Sequence, residues 1–134
     1  DNVAADLGAR TDGTTALTYI QGRTTGSASY RMNQNATTTT ALVADSLGLT
    51  AARRTAADAK ALFRNGASVA TSTEASTALA AVEMYIGGLN SGGSLLVPSS
   101  RQYAMNFIGG SLSDAEMLGL YNAVNTYLQA VGAA

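Results

Sequence analysis

Few residues of this chain have the chemistry of a catalyst. The sequence contains neither Cys nor His, so it has no thiolate nucleophile, no sulfur ligand for zinc and no imidazole base. Its abundant Ser and Thr hydroxyls therefore have no His to activate them. Lys60, the single lysine, is the one amine that could form a Ser–Lys pair, but no local motif points to that pairing.

The carboxylates give no clear acid–base pair. Glycan hydrolysis needs two carboxyl groups flanking the scissile bond, and the chain has only Glu74, Glu83 and Glu116 as glutamates. A helix cap explains Glu116 and a polar turn explains Glu74, which leaves Glu83 as an isolated strand carboxylate that we expect to be solvated. We therefore expect the protein not to be an enzyme.

Cofactor motifs are also missing from the sequence. No Asp-x-Asp-x-Asp-Gly loop occurs, and the six Asp residues lie far apart, so a calcium site would have to be built across loops. The Gly pairs at 87–88, 92–93 and 109–110 lack the patterns of phosphate loops, and turns explain them better. We expect no cofactor, with a calcium site across loops as the alternative.

Size and charge narrow the function classes further. The 134 residues fit one domain. They are 46% hydrophobic and 13% charged, with a net charge of −1, which argues against nucleic acid as a partner. No apolar run reaches the roughly 18 residues of a membrane span. Residues 1–6 lack the pattern of a secretory signal, and the absent Met suggests that residue 1 is a processed or fragment end.

Two groups of polar residues are candidate contacts. Arg53, Arg54, Lys60 and Arg64 lie on neighbouring predicted strands, where they would bind an acidic glycan or a subunit, or form a solvated outer face; we favour the solvated face. The candidate ligand-binding residues are Asn33, Asn35 and Asn90, whose amides can donate and accept toward sugar hydroxyls, although they are equally ordinary turn residues. The absence of Trp weakens a carbohydrate-binding interpretation.

Residues up to about 110 show the pattern of short β-strands that end at Gly, Asn, Asp or Ser. Asn65-Gly66 favours a type I′ turn, so residues 60–73 are predicted to form a hairpin. Seven or eight short strands indicate a sandwich or barrel. The predicted strands cover about residues 14–22, 27–33, 37–43, 46–54, 58–64, 67–73, 82–86 and 103–107.

The final segment has helical spacing instead. Ser113-Asp114-Ala115-Glu116 is a capping box and predicts a helix start, while Gly132 predicts its end. A lone helix of this length is marginal in water, so its apolar stripe is expected to dock on the sandwich or on a partner. The stripe, the predicted assembly and packing surface, consists of Met117, Leu120, Tyr121, Val124, Tyr127, Leu128 and Val131.

Several motifs in residues 47–133 carry a family resemblance as a set. They are Arg53-Arg54-Thr55, Leu62-Phe63-Arg64-Asn65-Gly66, Tyr85-Ile86-Gly87-Gly88-Leu89-Asn90 and Phe107-Ile108-Gly109-Gly110-Ser111-Leu112-Ser113-Asp114-Ala115-Glu116. Together they resemble the C-terminal half of a laminin-G-like or concanavalin-A-like jelly roll, and the ending is similar to versions in bacteriophage tail, fibre and other virion proteins.

The resemblance implies an all-β fold, namely one antiparallel jelly-roll β-sandwich domain over residues 1–134 with strands at about 14–108. One C-terminal amphipathic α-helix would follow at about 113–131. Relatives usually have more strands before Asp12-Gly13, so N-terminal strands would be lacking here. The resulting sheet edge favours pairing with another chain, and hence a homo-oligomer or a larger assembly.

The resemblance also implies a function. It predicts a non-catalytic virion structural or assembly protein, such as a tail, fibre or capsid-surface component of a bacteriophage. Its partners would be other virion subunits or further copies of itself, and its location the virion or the extracellular space. The alternative is a carbohydrate-binding host-recognition module with a cell-surface glycan as its ligand.

Overall fold

The computed structural model describes residues 4–13, 16–35 and 37–133. Residues 1–3, on which part of the expectation about a secretory signal rests, and residues 14–15, where the first predicted strand begins, lie outside the described residues. The rest is mostly β, with two sheets and one C-terminal helix, as predicted. The elements are β1 (Leu7–Arg10), β2 (Thr18–Thr24), β3 (Ser27–Arg31), β4 (Thr39–Leu42), β5 (Thr50–Ala56), β6 (Ala59–Arg64), β7 (Ala67–Ser72), β8 (Tyr85–Ile86), β9 (Leu89–Ser91), β10 (Ser94–Leu96) and α1 (Asp114–Ala130).

The larger sheet has seven strands in the order β10-β9-β1-β2-β3-β4, and β8 also pairs with β1. Strands β1 and β9 run parallel, so the expectation of a wholly antiparallel fold is wrong at this pair. A parallel pair needs a long crossover between its strands, and here the crossover contains the whole of the smaller sheet.

The smaller sheet is an antiparallel meander in the order β5-β6-β7. Its second turn confirms the predicted hairpin, because Asn65 and Gly66 have φ angles of 50° and 81°, as a type I′ turn requires. Helix α1 crosses this turn closely. A Cβ added to Gly66 would lie 2.9 Å from the Cα of Leu118, so both the turn and the helix contact require glycine here.

The two sheets bury a shared core. Ala28 and Tyr30 of β3 meet Leu62 of β6, and all three are at most 1% exposed. Side chains alternate across a strand, so Ala61 and Phe63 point to the opposite side of the smaller sheet. There they contact the buried Met117 of α1. The smaller sheet is thus covered on one face by the larger sheet and on the other by the helix.

Most predicted strands have observed counterparts. The predictions at 14–22, 27–33, 37–43, 46–54, 58–64 and 67–73 correspond to β2 through β7. The helix prediction is confirmed by α1 and by its complete capping box. The prediction at 82–86 is correct only for the two residues of β8, and the strand predicted at 103–107 is wrong, since residues 97–113 contain no helix or strand.

Asp6 explains the path of the segment that follows β10. Its Oδ1 accepts from the Arg101 guanidinium at 2.6 Å and from the Tyr103 hydroxyl at 2.7 Å. Its Oδ2 accepts from the backbone N–H of Gly22. The Tyr103 side chain is therefore fixed by a polar contact across the fold, and the alternation of Tyr103, Met105 and Phe107 does not produce a strand. Among the described residues, no helix has the length and apolarity needed to cross a membrane.

Candidate functional site

Two of the three candidate asparagines stabilise the loop after β3. Asn33 has a φ of 55°, its Oδ1 accepts from the Thr18 hydroxyl at 2.8 Å, and its carbonyl accepts from the Thr77 N–H at 2.8 Å. The carbonyl and Oδ1 of Asn35 accept from the Arg31 guanidinium at 2.9 Å and 3.2 Å. The side-chain oxygens of both residues are therefore used inside the fold.

Asn90 lies within β9 rather than in an open loop, and it is 0% exposed. Its Nδ2 donates to the Glu83 carbonyl at 2.8 Å, and its Oδ1 accepts from the Gly93 N–H at 2.8 Å. Both ends of the amide are thus occupied by backbone. Asn90 has no surface to share with Asn33 or Asn35 in a binding site.

The arginines of the predicted cationic cluster hold the fold together rather than forming a solvated face. Arg53 stacks over the Phe63 ring at 4.8 Å and pairs with Asp114 at 2.5 Å. Arg54 donates to the Ser76 hydroxyl at 2.7 Å. Arg64 donates to the Leu47 carbonyl at 2.6 Å. The interpretation of a solvated face is therefore wrong for these arginines, because each guanidinium bonds a distant part of the chain.

Lys60 differs from its three arginine neighbours. It is 4% exposed, and its Nζ has no hydrogen-bond partner. The strand register places it between Arg54 of β5 and Ser72 of β7, yet no Ser–Lys hydrogen bond forms. Burial lowers the pKa of Lys60, the nearby Glu74 carboxylate raises it, and Arg54 lowers it. A buried ammonium without an acceptor is unfavourable.

The glutamates have separate local roles. Glu116 accepts from the Ser113 N–H at 2.7 Å and completes the capping box, as the sequence predicts. Glu83 is exposed. Glu74 faces the Thr37 hydroxyl at 3.4 Å. Within residues 4–13, 16–35 and 37–133, no group of three or more Asp or Glu side chains is placed to hold a metal ion.

The helix stripe is divided between core and surface. Met117 is 5% exposed and contacts Phe63, while Leu120, Tyr121, Val124 and Leu128 are half-buried. The predicted docking on the sandwich is confirmed for the first turns. Further along the stripe, Tyr127 and Val131 are 53% and 55% exposed, so this part does not dock on the sandwich, and the predicted docking on a partner stays a prediction.

Other apolar side chains in the C-terminal third of the chain are exposed as well. We use the term C-terminal surface for these side chains and the exposed apolar side chains of α1. Little charge accompanies them, because residues 102–113 and 117–134 contain no Asp, Glu, Lys or Arg. Surface helices normally carry charged residues opposite their apolar stripe, and α1 has none after its first turn. The C-terminal surface comprises Leu95, Leu96, Val97, Met105, Phe107, Ile108, Leu118, Tyr127 and Val131.

A polar groove lies where β4 begins and β7 ends. Residues 37–39 form one wall and residues 71–74 the other, around an open space of about 720 Å³. Apart from Glu74, every lining residue is a Thr or a Ser. The sequence signal of this groove is a pair of hydroxyl-rich runs, Thr37-Thr38-Thr39-Thr40 and Thr71-Ser72-Thr73-Glu74. The pattern of the first run predicts only a strand and not the groove.

Comparison with known proteins adds no family to this description. No protein-family model matches the chain, and neither a curated protein nor a solved structure matches it.

Proposed function

We propose that this protein is a non-catalytic assembly module and that copies of the chain meet through the C-terminal surface. The observation that carries the proposal is the exposure of apolar side chains on a helix that has no charged residue after its first turn. Leu118, Tyr127 and Val131 are each about half exposed, and no charged residue follows Glu116.

Burial of these side chains in a monomer is incomplete. The accessible surface is 7137 Å², against about 6,600 Å² for a compact monomer of this mass. Exposed apolar patches on soluble proteins mark interaction sites, and interface cores are depleted in charge. A second copy is the occupant that we favour, because two surfaces without charge can meet without leaving a charge buried and unpaired.

Sheet edges support the same function. Strands β4 and β10 end the larger sheet, and β5 and β7 end the smaller one. Edge strands offer unpaired N–H and C=O groups to another chain. In β4 the edge carries Leu42, which is 89% exposed.

The virion setting of the proposal rests on the sequence resemblance. Residues 47–133 resemble jelly-roll domains of bacteriophage tail and fibre proteins, which would make this chain a tail, fibre or capsid-surface component. The hairpin at Asn65-Gly66 and the capped closing helix support the jelly-roll relationship, while the parallel pair β1–β9 departs from it. Other virion subunits are the further partners of this proposal.

A pair of charge substitutions on the helix tests the assembly function. Leu118→Lys and Tyr127→Lys place an ammonium in the proposed interface, where its desolvation opposes association. We expect each variant to shift dissociation to at least tenfold higher protein concentration in sedimentation velocity. Leu79→Lys is the matched control, because Leu79 is 71% exposed and lies outside the C-terminal surface.

The outcomes separate the alternatives. Unchanged sedimentation of both helix variants, with folding intact by circular dichroism, would contradict an interface on α1. An equal effect of Leu79→Lys would show that added charge, rather than its position, disperses the protein.

A further inference from the structure

We propose that β4 forms a second contact between copies of the chain, in which two β4 strands pair antiparallel with Leu42 opposite the partner's Leu42. The inference rests on the proposed assembly function, because the partner is again this chain, but it uses none of the residues of the C-terminal surface. Such a contact would join the copies that meet through the C-terminal surface into larger assemblies.

The first argument is a comparison of the four strands that end the sheets. Proteins protect such edges from pairing by charged side chains, bulges, proline or a covering element. Strand β5 carries Arg53 and Arg54, and its pairing with β6 is irregular next to Arg54. The pairing of β7 with β6 is also irregular, and α1 packs against β7. Strand β10 has only three residues, and Pro98 follows it closely.

Strand β4 has none of this protection. Residues 32–44 contain no Asp, Glu, Lys, Arg or Pro, and β4 pairs with β3 in a regular register. On the other side of β4, the described part of the chain places no strand. The Thr residues of β4 favour strand pairing. Of the four sheet edges, β4 is therefore the one that is open to another chain.

The second argument is the direction of the backbone groups in β4. The Val43 N–H donates to the Gly26 carbonyl at 2.9 Å, which lies on the β3 side. Successive residues of a strand direct their N–H and C=O groups to opposite sides, so those of Thr40 and Leu42 point away from β3. The side chains of Ala41 and Val43 pack on the core, while those of Thr40 and Leu42 are exposed. An added strand would thus find donors, acceptors and an apolar side chain on this edge.

The third argument identifies the added strand as a second β4. Two copies related by a twofold axis through Leu42 would bring the two Leu42 side chains together on the outer face, and opposite side chains of an antiparallel pair contact each other. On the core side, Ala41 would lie opposite the partner's Val43. The first charged residue, Asp45, would lie opposite the partner's Thr39, so no like charges meet. The contact buries a side chain that is 89% exposed.

Single-cysteine variants of the whole chain test this pairing, because the chain has no cysteine of its own. Opposite residues of the proposed pair have Cα atoms about 5.5 Å apart, within the roughly 4.4–6.8 Å that a disulfide spans. We expect Leu42→Cys to form a disulfide-linked dimer under mild oxidation by diamide at least tenfold faster than Leu47→Cys. Leu47 is the matched control, because it is 76% exposed and lies five residues further along the chain. Equal rates for the two variants would overturn the proposal.

A third variant tests the register. Thr40 is exposed on the same face as Leu42, but in the proposed pair the two Thr40 Cα atoms are separated by four residues along the strands, about 13 Å. We therefore expect Thr40→Cys to cross-link as slowly as Leu47→Cys. Cross-linking of Thr40→Cys at the rate of Leu42→Cys would overturn the pairing centred on Leu42.

A charge on the edge tests the contact without a covalent bond. Leu42→Lys places an ammonium in the proposed pair, where its desolvation opposes association. We expect the loss of the largest species in sedimentation velocity until the protein concentration is raised at least tenfold, while Leu47→Lys leaves them unchanged. Unchanged sedimentation of Leu42→Lys, with folding intact by circular dichroism, would overturn the proposal.

Failure of this contact and failure of the C-terminal surface give different results. Oligomers of the unmodified chain that persist while Leu42→Cys cross-links no faster than its control would overturn the β4 contact alone. Rapid cross-linking of Leu42→Cys would support the β4 contact even if Leu118→Lys sedimented like the unmodified chain, a result that would contradict only the C-terminal surface.

Discussion

In the first half of the chain, apolar side chains are buried between the sheets, whereas in the second half many remain at the surface. Among the described residues, Leu89 and Met117 are the only buried apolar side chains after Phe63. Most of the large exposed apolar side chains lie after residue 72. The first half buries most of its large apolar side chains within the chain, whereas the second half leaves many of them exposed, and the proposed assembly function rests on this difference.

The polar contacts of the two halves differ in the same way. In the sandwich, arginines bond distant backbone carbonyls, as Arg64 does with Leu47. In the C-terminal third, Arg101 is the only basic residue after position 64, and Asp6 holds it. The second half is attached to the first by the pairing of β8 and β9 with β1, by the polar contacts of Asp6 and by the first turns of α1.

Truncation of a core side chain should give the largest effect on stability. Leu62 is 0% exposed between the sheets, so Leu62→Ala should lower the free energy of unfolding by about 3 kcal/mol. Ile108 is 71% exposed, and Ile108→Ala should cost less than about 0.5 kcal/mol. Urea denaturation at low protein concentration measures both. Similar losses for the two variants would contradict the contrast between the halves.

Weakening the attachment of the second half should have the next largest effect. Asp6→Asn removes the charge that binds Arg101 and Tyr103, and we expect a loss of about 2 kcal/mol, typical of hydrogen bonds to a charged group. Hydrogen exchange should accelerate in residues 97–105 before it does so in β6. Asp58→Asn, at an exposed turn, should cost less than about 0.5 kcal/mol. Equal exchange rates in wild type and Asp6→Asn would show that Asp6 does not hold this segment.

Removal of the helix cap should have a smaller effect. Ser113→Ala should destabilise the protein by about 1 kcal/mol, with Ser111→Ala as the exposed control. The Ser113 backbone N–H, followed by its hydroxyl, lowers the pKa of Glu116 from its usual 4.5. The stabilisation is therefore complete above pH 4.5 and is lost as pH falls through the lower folded value. Thermal melts between pH 7 and pH 3 should show a smaller acid-induced loss in Ser113→Ala, and an equal loss would contradict the capping role.

The smallest effect is a gain. A Cβ at Gly119 would have no atom within 4 Å, so Gly119→Ala should stabilise the dissociated chain by about 0.5–1 kcal/mol through helix propensity. Gly66→Ala should do the opposite, because φ is positive there and Leu118 is close. Chemical denaturation compares the two. A loss of stability for Gly119→Ala would mean that the exposed face of α1 is differently packed.

Local signals made several elements of the fold predictable. The alternation in β6, the Asn65-Gly66 turn and the Ser113 capping box each specify structure within a few residues, and all three are confirmed. Strands β1 and β9 could not be predicted, because each is short and they pair across about eighty residues. The strand predicted at 103–107 is wrong, and the contact of Tyr103 with Asp6, 97 residues earlier in the chain, leaves no local signal in the sequence.

The candidate sites were less predictable than the fold. The sequence indicated the apolar stripe of α1 but not the exposure of its later turns. That exposure depends on how far α1 extends beyond its contact with the β6–β7 hairpin. The sequence pattern grouped Lys60 with the arginines. It does not show that Arg54 and Arg64 find distant partners while the Lys60 ammonium finds none. The groove was missed because its walls are about thirty residues apart in the chain.

The most direct test of the assembly function is the native mass of the unmodified chain across a dilution series from about 100 µM to 0.1 µM. We predict a homo-oligomer at the upper end, dissociating only on dilution, since association buries the C-terminal surface. A monomer of 13.6 kDa at every concentration would contradict self-assembly through that surface.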